Sequence, residues 1–328
     1  MALVNYILIH SIFLLVFQLY NPNEFKKDFY QNFEVKRGAT LVLDHGNGRV
    51  ELTSWEKDVV NVVVHYHSER QAVYSAPGTE LFDVHFKQKD DLISISGIEN
   101  MPKGIAVSSR RVYEYYYLIQ APAYLNLELH GRRGNVSIDS WTGSISSEVS
   151  DSQIEMKNID SPSIDLKMKD GTIRIETIKG LLAIETEDSE ITISDCQTSM
   201  GQIELALGIL KIDHGSGNFN VGLENGQVEL SKMTVNQLDI NSAEADIDLE
   251  LMRSEDLAIN IHSEEGDIKV AMDKDNSAAI RIKTAEGDLD SGDFELKKEN
   301  DLNIGMIGNG DGLIKLESDQ GNIKIRLF

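Results

Sequence analysis

The stretch Ser263–Leu289 reads SEEGDIKVAMDKDNSAAIRIKTAEGDL, and its turn Glu265-Gly266-Asp267 returns further along as Glu286-Gly287-Asp288. Each copy of the turn is followed by an aliphatic residue and a short run in which apolar and polar residues alternate. Alternation with a period of two places the apolar side chains on one face of a β-strand and the polar side chains on the other. The stretch therefore predicts half-buried strands joined by turns that recur at a fixed interval.

The same unit recurs along the chain after Ala121, as a turn of Gly, Asp, Ser or Asn followed by an alternating strand. Examples are Gly134-Asn-Val136-Ser-Ile138, Gly171-Thr-Ile173-Arg-Ile175, Gly201-Gln-Ile203-Glu-Leu205, Gly226-Gln-Val228-Glu-Leu230 and Gly321-Asn-Ile323-Lys-Ile325. Two strands with their two turns make a coil of about 18–21 residues, and such coils bury their aliphatic side chains only when they stack. The sequence thus predicts an all-β fold, a single-stranded β-solenoid that resembles a parallel β-helix. About ten coils fit into residues 121–328, with a stack length of roughly 50 Å.

Residues 31–120 have longer strands rich in Tyr, Phe and Val, and we expect them to form a β-rich cap on the amino-terminal end of the solenoid. The expected strands are Ala39–Leu52, Val59–His67, Leu81–Lys87, Leu92–Ser96 and Val112–Gln120. A cap is needed because the end of a solenoid exposes unpaired strand edges.

At the other end, the segment Asp290–Gly310 departs from the repeat spacing and is interpreted as an insertion or a partial cap. The final strand, Ile323–Leu327, is expected to leave an edge open near Phe328. An open edge would allow self-association, which a charged or proline substitution at Ile323 or Ile325 would abolish.

The formal net charge is −23, and most of the acidic excess lies in the repeats. Residues 1–120 contain 14 acidic and 12 basic side chains, whereas residues 121–328 contain 40 and 19. Such a surface repels phosphate backbones and anionic headgroups, so we expect no nucleic-acid partner. Polycations and divalent metals stay open as ligands, beside a purely solubilising role.

The amino terminus carries an apolar run, Ile7–Tyr20, that is followed by Asn21-Pro22-Asn23. Such a run is short for a membrane span but fits the core of a signal peptide. Residues 1–30 are therefore interpreted as a signal-like or anchoring segment of an exported protein of the cell envelope, periplasm or surface. No Lys or Arg precedes the run, so an uncleaved anchor, a misassigned start codon and an amphipathic capping segment stay as alternatives, and a cytoplasmic location stays open as well.

Side chains that could carry chemistry are present, but none forms a specific motif. His65 and His67 share a strand face and could bind zinc together with His85, although exposed histidines are the default interpretation. Asp44-His45-Gly46-Asn47-Gly48 contains an acid and a base, but its glycines suit a hairpin-like turn. The single cysteine, Cys196, excludes an internal disulfide and is expected to be a half-buried structural side chain.

Carboxylates are too abundant along the repeats to single out a catalytic pair. Candidates for a carbohydrate-active β-helix are Glu155, Asp165, Glu204, Glu229, Asp248 and Asp290. Trp and Tyr are absent after Trp141, and Phe219, at an expected core position, is one of three aromatic residues there, so aromatic platforms for sugars are scarce. The Glu-Gly-Asp turns could stack carboxylates around calcium, but the GGxGxDx repeat of calcium-binding β-rolls is missing. We therefore predict no catalytic residue, no metal site and no cofactor.

Two segments carry a resemblance to a known family. Gly48-Arg49-Val50-Glu51-Leu52-Thr-Ser-Trp55, with the following Asp58–Val62, resembles the bacterial "putative adhesin" family DUF4097, in which a Gly-x-Ile/Val strand and a Trp precede a valine-rich strand. The likeness continues through Tyr115–Pro122 and covers most of residues 33–328. The resemblance implies a β-solenoid with an amino-terminal β region in an exported or envelope-associated protein, and it supplies no catalytic residue.

These observations favour a non-catalytic, adhesin-like binding scaffold of the cell envelope, whose ligand would be an envelope or extracellular protein or glycan. The expected contact surface lies on the aromatic side chains of the cap, some of which must form its core: Trp55, Tyr66, Tyr74 and Tyr115–Tyr117. Two alternatives stay open, a carbohydrate-active β-helix enzyme and a self-assembling or regulatory scaffold.

Overall fold

A computed structural model of the chain describes residues 24–69, 82–99, 112–292 and 294–328. The apolar run Ile7–Tyr20 and the cap residue Tyr74 lie outside these ranges. Within them, no helix has the length and apolar character needed to cross a membrane.

The described residues form nineteen β-strands, which confirms the all-β prediction. The strands are β1 (Glu24–Glu34), β2 (Thr40–Gly46), β3 (Arg49–Trp55), β4 (Val59–Glu69), β5 (Phe82–Lys89), β6 (Leu92–Glu99), β7 (Val112–Pro122), β8 (Asn126–Gly131), β9 (Gly134–Trp141), β10 (Ile145–Val149), β11 (Ser152–Leu251), β12 (Ala258–Ser263), β13 (Ile268–Met272), β14 (Ala278–Thr284), β15 (Leu289–Asp290), β16 (Lys297–Glu299), β17 (Leu302–Ile307), β18 (Gly312–Ser318) and β19 (Ile323–Leu327). β11 is so long because its ladder of hydrogen bonds passes through the corners of several successive coils.

The coils stack through parallel strand pairs, and the registers give the coil length. Leu127 lies opposite Ile145, which in turn lies opposite Ile164. Near the other end, Ile247 lies opposite Ile268, a slightly longer advance. The residue numbers of these partners confirm the predicted β-solenoid and its coil of about 18–21 residues.

Alternating side chains from all coils form one continuous core between the two strand faces. Phe219 is 1% exposed, as predicted for a core position. The same burial holds for the aliphatic side chains of the quoted stretch, since Ile268, Ile280 and Ile282 are completely buried.

In six coils of the middle of the stack, one corner places a non-glycine residue in the left-handed region. Its members recur once per coil and have φ between 51° and 59°: Ser140, Asn158, Thr177, Asp195, His214 and Lys232. Asn and Asp tolerate this conformation better than the other residue types in the column.

The glycine of the repeated turn is required by close packing between coils. A Cβ on Gly266 would lie 1.8 Å from the carbonyl oxygen of Ala245 in the preceding coil, and a Cβ on Gly287 would lie 1.9 Å from that of Gly321. The aspartate after the glycine is also used, because Asp246 Oδ1 accepts a hydrogen bond from the backbone N–H of Asp267 at 3.0 Å. The quoted repeat is thus a contact between neighbouring coils.

At the amino-terminal end the chain doubles back, so spatial order differs from chain order. β2 lies between β6 and β8, and β3 lies between β7 and β9, with all four pairs parallel. The outermost coil, β6 and β7, is then covered by antiparallel strands: β5 on β6, and β4 with β1 on β7. The region predicted as a cap therefore contributes coils of the stack as well as the strands that cover its edge.

The expected single strand Ala39–Leu52 is wrong, because a turn at Asn47–Gly48 divides it. Gly48 N–H donates to His45 O at 2.9 Å in this turn. β2 and β3 do not pair with each other but lie on the two faces of one coil, so the turn is a solenoid corner and the expected hairpin at Asp44–Gly48 is also wrong.

The carboxyl-terminal end uses the same arrangement. β18 lies between β12 and β14, and β19 lies between β13 and β15. The outermost coil, β14 and β15, is covered on β14 by the antiparallel hairpin of β16 and β17. The segment Asp290–Gly310 thus contains a partial cap.

The expectation of an open edge along Ile323–Leu327 is wrong for the first two residues, whereas Ile325–Leu327 pair with β13 alone among the described strands. Ile323 is paired on both sides, with Ile268 and with Leu289, and both Ile323 and Ile325 are completely buried. A charged substitution at either position would disrupt the core, so it cannot serve as a specific test of self-association.

Candidate functional site: a groove along the stacked coils

A groove of about 1250 Å³ runs parallel to the axis of the stack. Nine coil layers contribute to it, each with the end of one strand and the start of the following corner. In spatial order the layers supply residues 97–99, 44 and 46, 130–132, 148–150, 167–169, 185–187, 204–206, 222–224, and 241 and 243. Eight spacings between neighbouring strands give a length of roughly 40 Å. We call this feature the axial groove.

The axial groove is predominantly acidic. Its carboxylates are Asp44, Glu99, Glu148, Glu185, Glu187, Glu204 and Glu224, and its basic side chains are Arg132, Lys167 and Lys169, beside His130. The two lysines bind carboxylates of the next coil: Lys167 Nζ lies 3.3 Å from Glu185 Oε2, and Lys169 Nζ lies 3.6 Å from Glu187 Oε2. The groove therefore has ion pairs at its middle and an excess of negative charge towards both ends.

The floor of the axial groove contains glycines, and the side chain of another residue lies where each glycine would carry a Cβ. A Cβ on Gly222 would lie 2.0 Å from Glu204 Oε2, so the glutamate side chain lies across this glycine. A Cβ on Gly131 would lie 2.1 Å from His45 Nε2, and a Cβ on Gly97 would lie 2.2 Å from Tyr117 Oη. At the capped end, the floor is thus formed over buried rings.

A hydrogen-bonded cluster fixes the capped end of the groove. Tyr115 Oη donates to Glu99 Oε1 at 2.6 Å, and Asn47 Nδ2 donates to the same oxygen at 2.8 Å. The backbone N–H of Asn47 donates to Tyr115 Oη at 2.7 Å. Burial raises the pKa of the Tyr115 hydroxyl, and the hydrogen bond to Glu99 raises it further, so the tyrosine stays protonated and acts as a donor.

His45 is a core residue beneath this end. It is completely buried, and its Nδ1 lies 2.9 Å from Gly48 O, which requires that Nδ1 carries the proton. Burial lowers the pKa of its imidazole, because the charged form would lose its hydration. His45 is thus a neutral structural histidine, and the motif Asp44–Gly48 supplies no exposed base.

The three histidines considered as zinc ligands are not brought together. His65 Nδ1 lies 2.8 Å from Asp28 Oδ1, and its ring stacks on Tyr116. His67 lies opposite Glu114, whereas the exposed His85 is on β5, which pairs with β6 alone among the described strands. No group of three His, Cys, Asp or Glu side chains suited to a metal ion occurs in the described ranges.

The carboxylates considered for catalysis are spread over the molecule. Glu204 lines the axial groove, but Glu155, Asp165, Glu229, Asp248 and Asp290 are not among its lining residues. Glu229 and Asp290 form ion pairs with Lys211 at 2.8 Å and with Lys324 at 2.6 Å. In the first Glu-Gly-Asp turn, the Asp267 carboxylate accepts a backbone hydrogen bond from Asn322 N–H of the neighbouring coil at 2.8 Å.

Three of the five cap aromatics that the structure describes, among those proposed as a contact surface, are core residues. Tyr66, Tyr115 and Tyr117 are at most 4% exposed, and the ring of Phe82 stacks between Tyr66 and Tyr115 with centroid distances of 5.2 and 4.1 Å. Their inward direction follows from strand alternation, which leaves Tyr116 on the outer face with its hydroxyl donating to Glu51. Trp55 is half-buried, with Nε1 donating to Val59 O at 2.7 Å.

Cys196 is completely buried, so the expectation of a half-buried side chain is wrong. Burial raises the pKa of its thiol to about 12. The side chain is therefore a protonated core residue at neutral pH.

Comparisons with known proteins give a family and two solved structures. The family model described as "Toastrack DUF4097" matches residues 40–326. A crystal structure titled "putative cell adhesion protein", from Clostridium sporogenes, is 13% identical over 92% of this chain and 100% of its own, with a TM-score of 0.19. A "putative adhesin" from Bacteroides fragilis is 12% identical over 92% of this chain and 97% of its own, with a TM-score of 0.32. No curated protein matches the sequence.

Proposed function

The chain belongs to the Toastrack DUF4097 family, and from this premise we propose that it is a non-catalytic, adhesin-like binding scaffold of the cell envelope. The axial groove is its binding surface, and the ligand is an extended chain, a protein segment or a glycan, that lies along the stack. The amino-terminal apolar run Ile7–Tyr20 supports export.

The observation that carries this proposal is the continuity of the axial groove over nine layers. Its length of roughly 40 Å matches about twelve residues of an extended peptide, at about 3.3 Å per residue. A globular partner or a small molecule would use one part of such a surface, whereas an extended chain can contact side chains of every layer.

The charge of the groove selects among extended chains. Seven carboxylates against three basic side chains disfavour polyphosphates and nucleic acid, and favour cationic peptides or neutral glycans. The ion pairs of Lys167 and Lys169 hold these side chains in place, and each of them leaves donors free to bind hydroxyl or carbonyl groups of a ligand.

Two properties of the full-length protein, its location and its ligand binding, test the proposal. Cell fractionation, surface protease accessibility and the mass of the mature amino terminus test the location; a soluble cytoplasmic protein that retains Met1 would contradict the envelope role. Binding is measured on arrays of envelope glycans and of cationic and neutral peptides, then by calorimetry on the best ligand.

A pair of charge reversals tests the groove itself. Glu204→Lys, on the groove, is expected to weaken binding of a cationic ligand at least tenfold, which corresponds to about 1.4 kcal/mol. Glu190→Lys changes the charge equally at an exposed site that does not line the groove, and is expected to leave affinity unchanged. Equal losses in both variants would indicate a general charge effect, and release of cleaved products from a bound glycan would favour the enzyme alternative.

A further inference from the structure

The carboxyl-terminal coil, β18 and β19, occupies a slot between two coils that precede it in the chain. The slot is formed by β12 and β13 on one side and by β14 and β15 on the other. From this topology we infer that the terminal coil is exchanged between copies of this chain, so that each copy of a dimer inserts Gly312–Leu327 into the slot of the other.

The terminal coil and the coil beyond it are interchangeable where they face the core. Ile259 lies opposite Ile314, which lies opposite Ile280. The next inward positions are Ile261, Leu316 and Ile282. Each of these side chains is at most 2% exposed. The slot can therefore close by stacking β14 and β15 directly on β12 and β13, without loss of the inward pattern.

The turns repeat this equivalence. With the terminal coil in the slot, Asp267 Oδ1 accepts a hydrogen bond from the backbone N–H of Asn322 at 2.8 Å. Asn322 Oδ1 in turn accepts a hydrogen bond from the backbone N–H of Asp288 at 3.0 Å. Asp288 follows Asp267 at the same interval that separates Asp267 from Asp246. With the terminal coil withdrawn, Asp288 would continue the ladder directly on Asp267.

Charge on the outer face opposes insertion on one side of the slot. Lys324 lies directly opposite Lys269 across β19 and β13, and like charges in this position are destabilising. On its other side, Lys324 Nζ binds Asp290 Oδ2 at 2.6 Å. Direct stacking would place Lys269 opposite Asp290 instead, which improves the charge arrangement on this face. On the face of β12 and β14, closure would separate Lys283 Nζ from Glu317 Oε1, which lie 2.6 Å apart. Release of the terminal coil is therefore compensated in part.

A short hinge connects the terminal coil to the rest of the stack. Ile307 and Gly312 both lie opposite Ala278, on the two sides of β14, and the chain crosses between them over Gly308–Asp311. The crossing spans two strand spacings, about 9.6 Å, and Gly308 and Gly310 have positive φ. A glycine-containing hinge of this kind can redirect the following segment into a neighbouring molecule.

A second copy is the partner that fits the slot, because it supplies the same coil with the same contacts. The exchanged dimer keeps every strand pair of the monomer and differs only at the hinge, which is why domain exchange has a low free-energy cost. The inference stands apart from ligand binding by the axial groove, since the slot and the groove have no residue in common.

Cross-linking of mixed chains tests the exchange. Asn260→Cys and Lys315→Cys are made in separate full-length chains, at outward positions opposite each other across β12 and β18. The two chains are refolded together and treated with a short bismaleimide, with Cys196 buried in both. Glu128→Cys and Ser146→Cys, opposite each other across β8 and β10, form the matched control in the middle of the stack.

The expected result is covalent dimers of unlike chains for the terminal pair, at about ten times the yield of the control pair. A chain that carries both terminal cysteines should also cross-link between molecules. Equal yields for the two pairs, with the double variant linked only within itself, would overturn the inference.

One further variant sharpens the test. Lys269→Glu places opposite charges across β13 and β19, and is expected to lower the yield of unlike dimers several-fold. An unchanged yield would contradict the charge argument for release.

Discussion

Substitution of Gly266 by alanine tests the explanation of the repeated turn. The new Cβ would lie 1.8 Å from the carbonyl oxygen of Ala245, 2.4 Å from its carbonyl carbon and 2.8 Å from Ser263 Oγ. Carbon and oxygen need about 3.4 Å, and both nearest atoms belong to the backbone of a neighbouring coil, so no side-chain rotation relieves the contact. The turn of this coil must therefore move by roughly 1 Å or more.

The magnitude follows from the hydrogen bonds that such a movement breaks. Gly266 N–H donates to the buried Ser263 Oγ at 2.9 Å, and Ile247 N–H donates to Asp267 O at 2.8 Å. Each bond contributes about 1 kcal/mol, and the overpacked contact adds a similar amount or more, so the variant should lose about 3 kcal/mol of unfolding free energy.

The matched control is Ala245→Gly, in the same turn column of the preceding coil, where the stack accepts a buried Cβ. This change removes one methyl group and adds backbone freedom, so it should cost about 1 kcal/mol. The unfolding free energy of both variants is measured by equilibrium urea unfolding followed by circular dichroism, and the curves are fitted with one common m value. A loss for Gly266→Ala that does not exceed the loss for Ala245→Gly would refute the close-packing explanation.

Three further outcomes follow from the corners, the terminal coil and the core. Thr177→Asn should raise the unfolding free energy by about 0.5–1 kcal/mol in calorimetry, because Asn tolerates the left-handed φ of 58° better than a β-branched residue; no gain would contradict strain at this corner. Hydrogen bonds from Lys283 and Lys315 lower the pKa of Glu317 from 4.5 to about 2. The ionised Glu317 therefore stabilises the folded protein fully above pH 4.5, and this contribution is lost as the pH falls to about 2. Glu317→Gln should remove that part of the pH dependence in acid titrations of unfolding, whereas an identical profile would argue against the ion pair. Cys196 should resist maleimide at about neutral pH in the folded protein and react fully in denaturant, since its thiol is buried and has a pKa of about 12; labelling of the folded chain would show that the core opens there.

The coil and its core were predictable because both are local properties of the sequence. Strand alternation decides which side chains point inward, and the spacing of turns decides the coil length, so the burial of Phe219 and the coil advance at Gly266 could be read without coordinates. The inward Tyr115 and Tyr117 follow from the same alternation, and treating them as a contact surface overlooked it.

The axial groove was not predictable as a surface, because its depth depends on how corners of neighbouring coils align. The sequence does contain the spacing of the lining residues. They recur once in every coil, just before a corner, as His130, Glu148, Lys167 and Glu185 do. That regular spacing predicts a row of outward side chains along the stack. Whether the row lies in a concave or a convex surface is a property of the assembled backbone.

The order of the coils at the two ends was beyond sequence reasoning for a different reason. Coils with the same inward pattern, such as those of Ile280 and Ile314, bury equally well in either order, so hydrophobic periodicity cannot rank them. Unpaired strand edges decide between the two orders of the coils, because an outermost coil needs a strand to cover its edge. In the observed order the outermost coils are continuous in sequence with the segments that cover them, β4 and β5 at one end and β16 and β17 at the other. The coil of β2 and β3 at one end and the coil of β18 and β19 at the other then lie inside the stack, where both of their neighbours are coils.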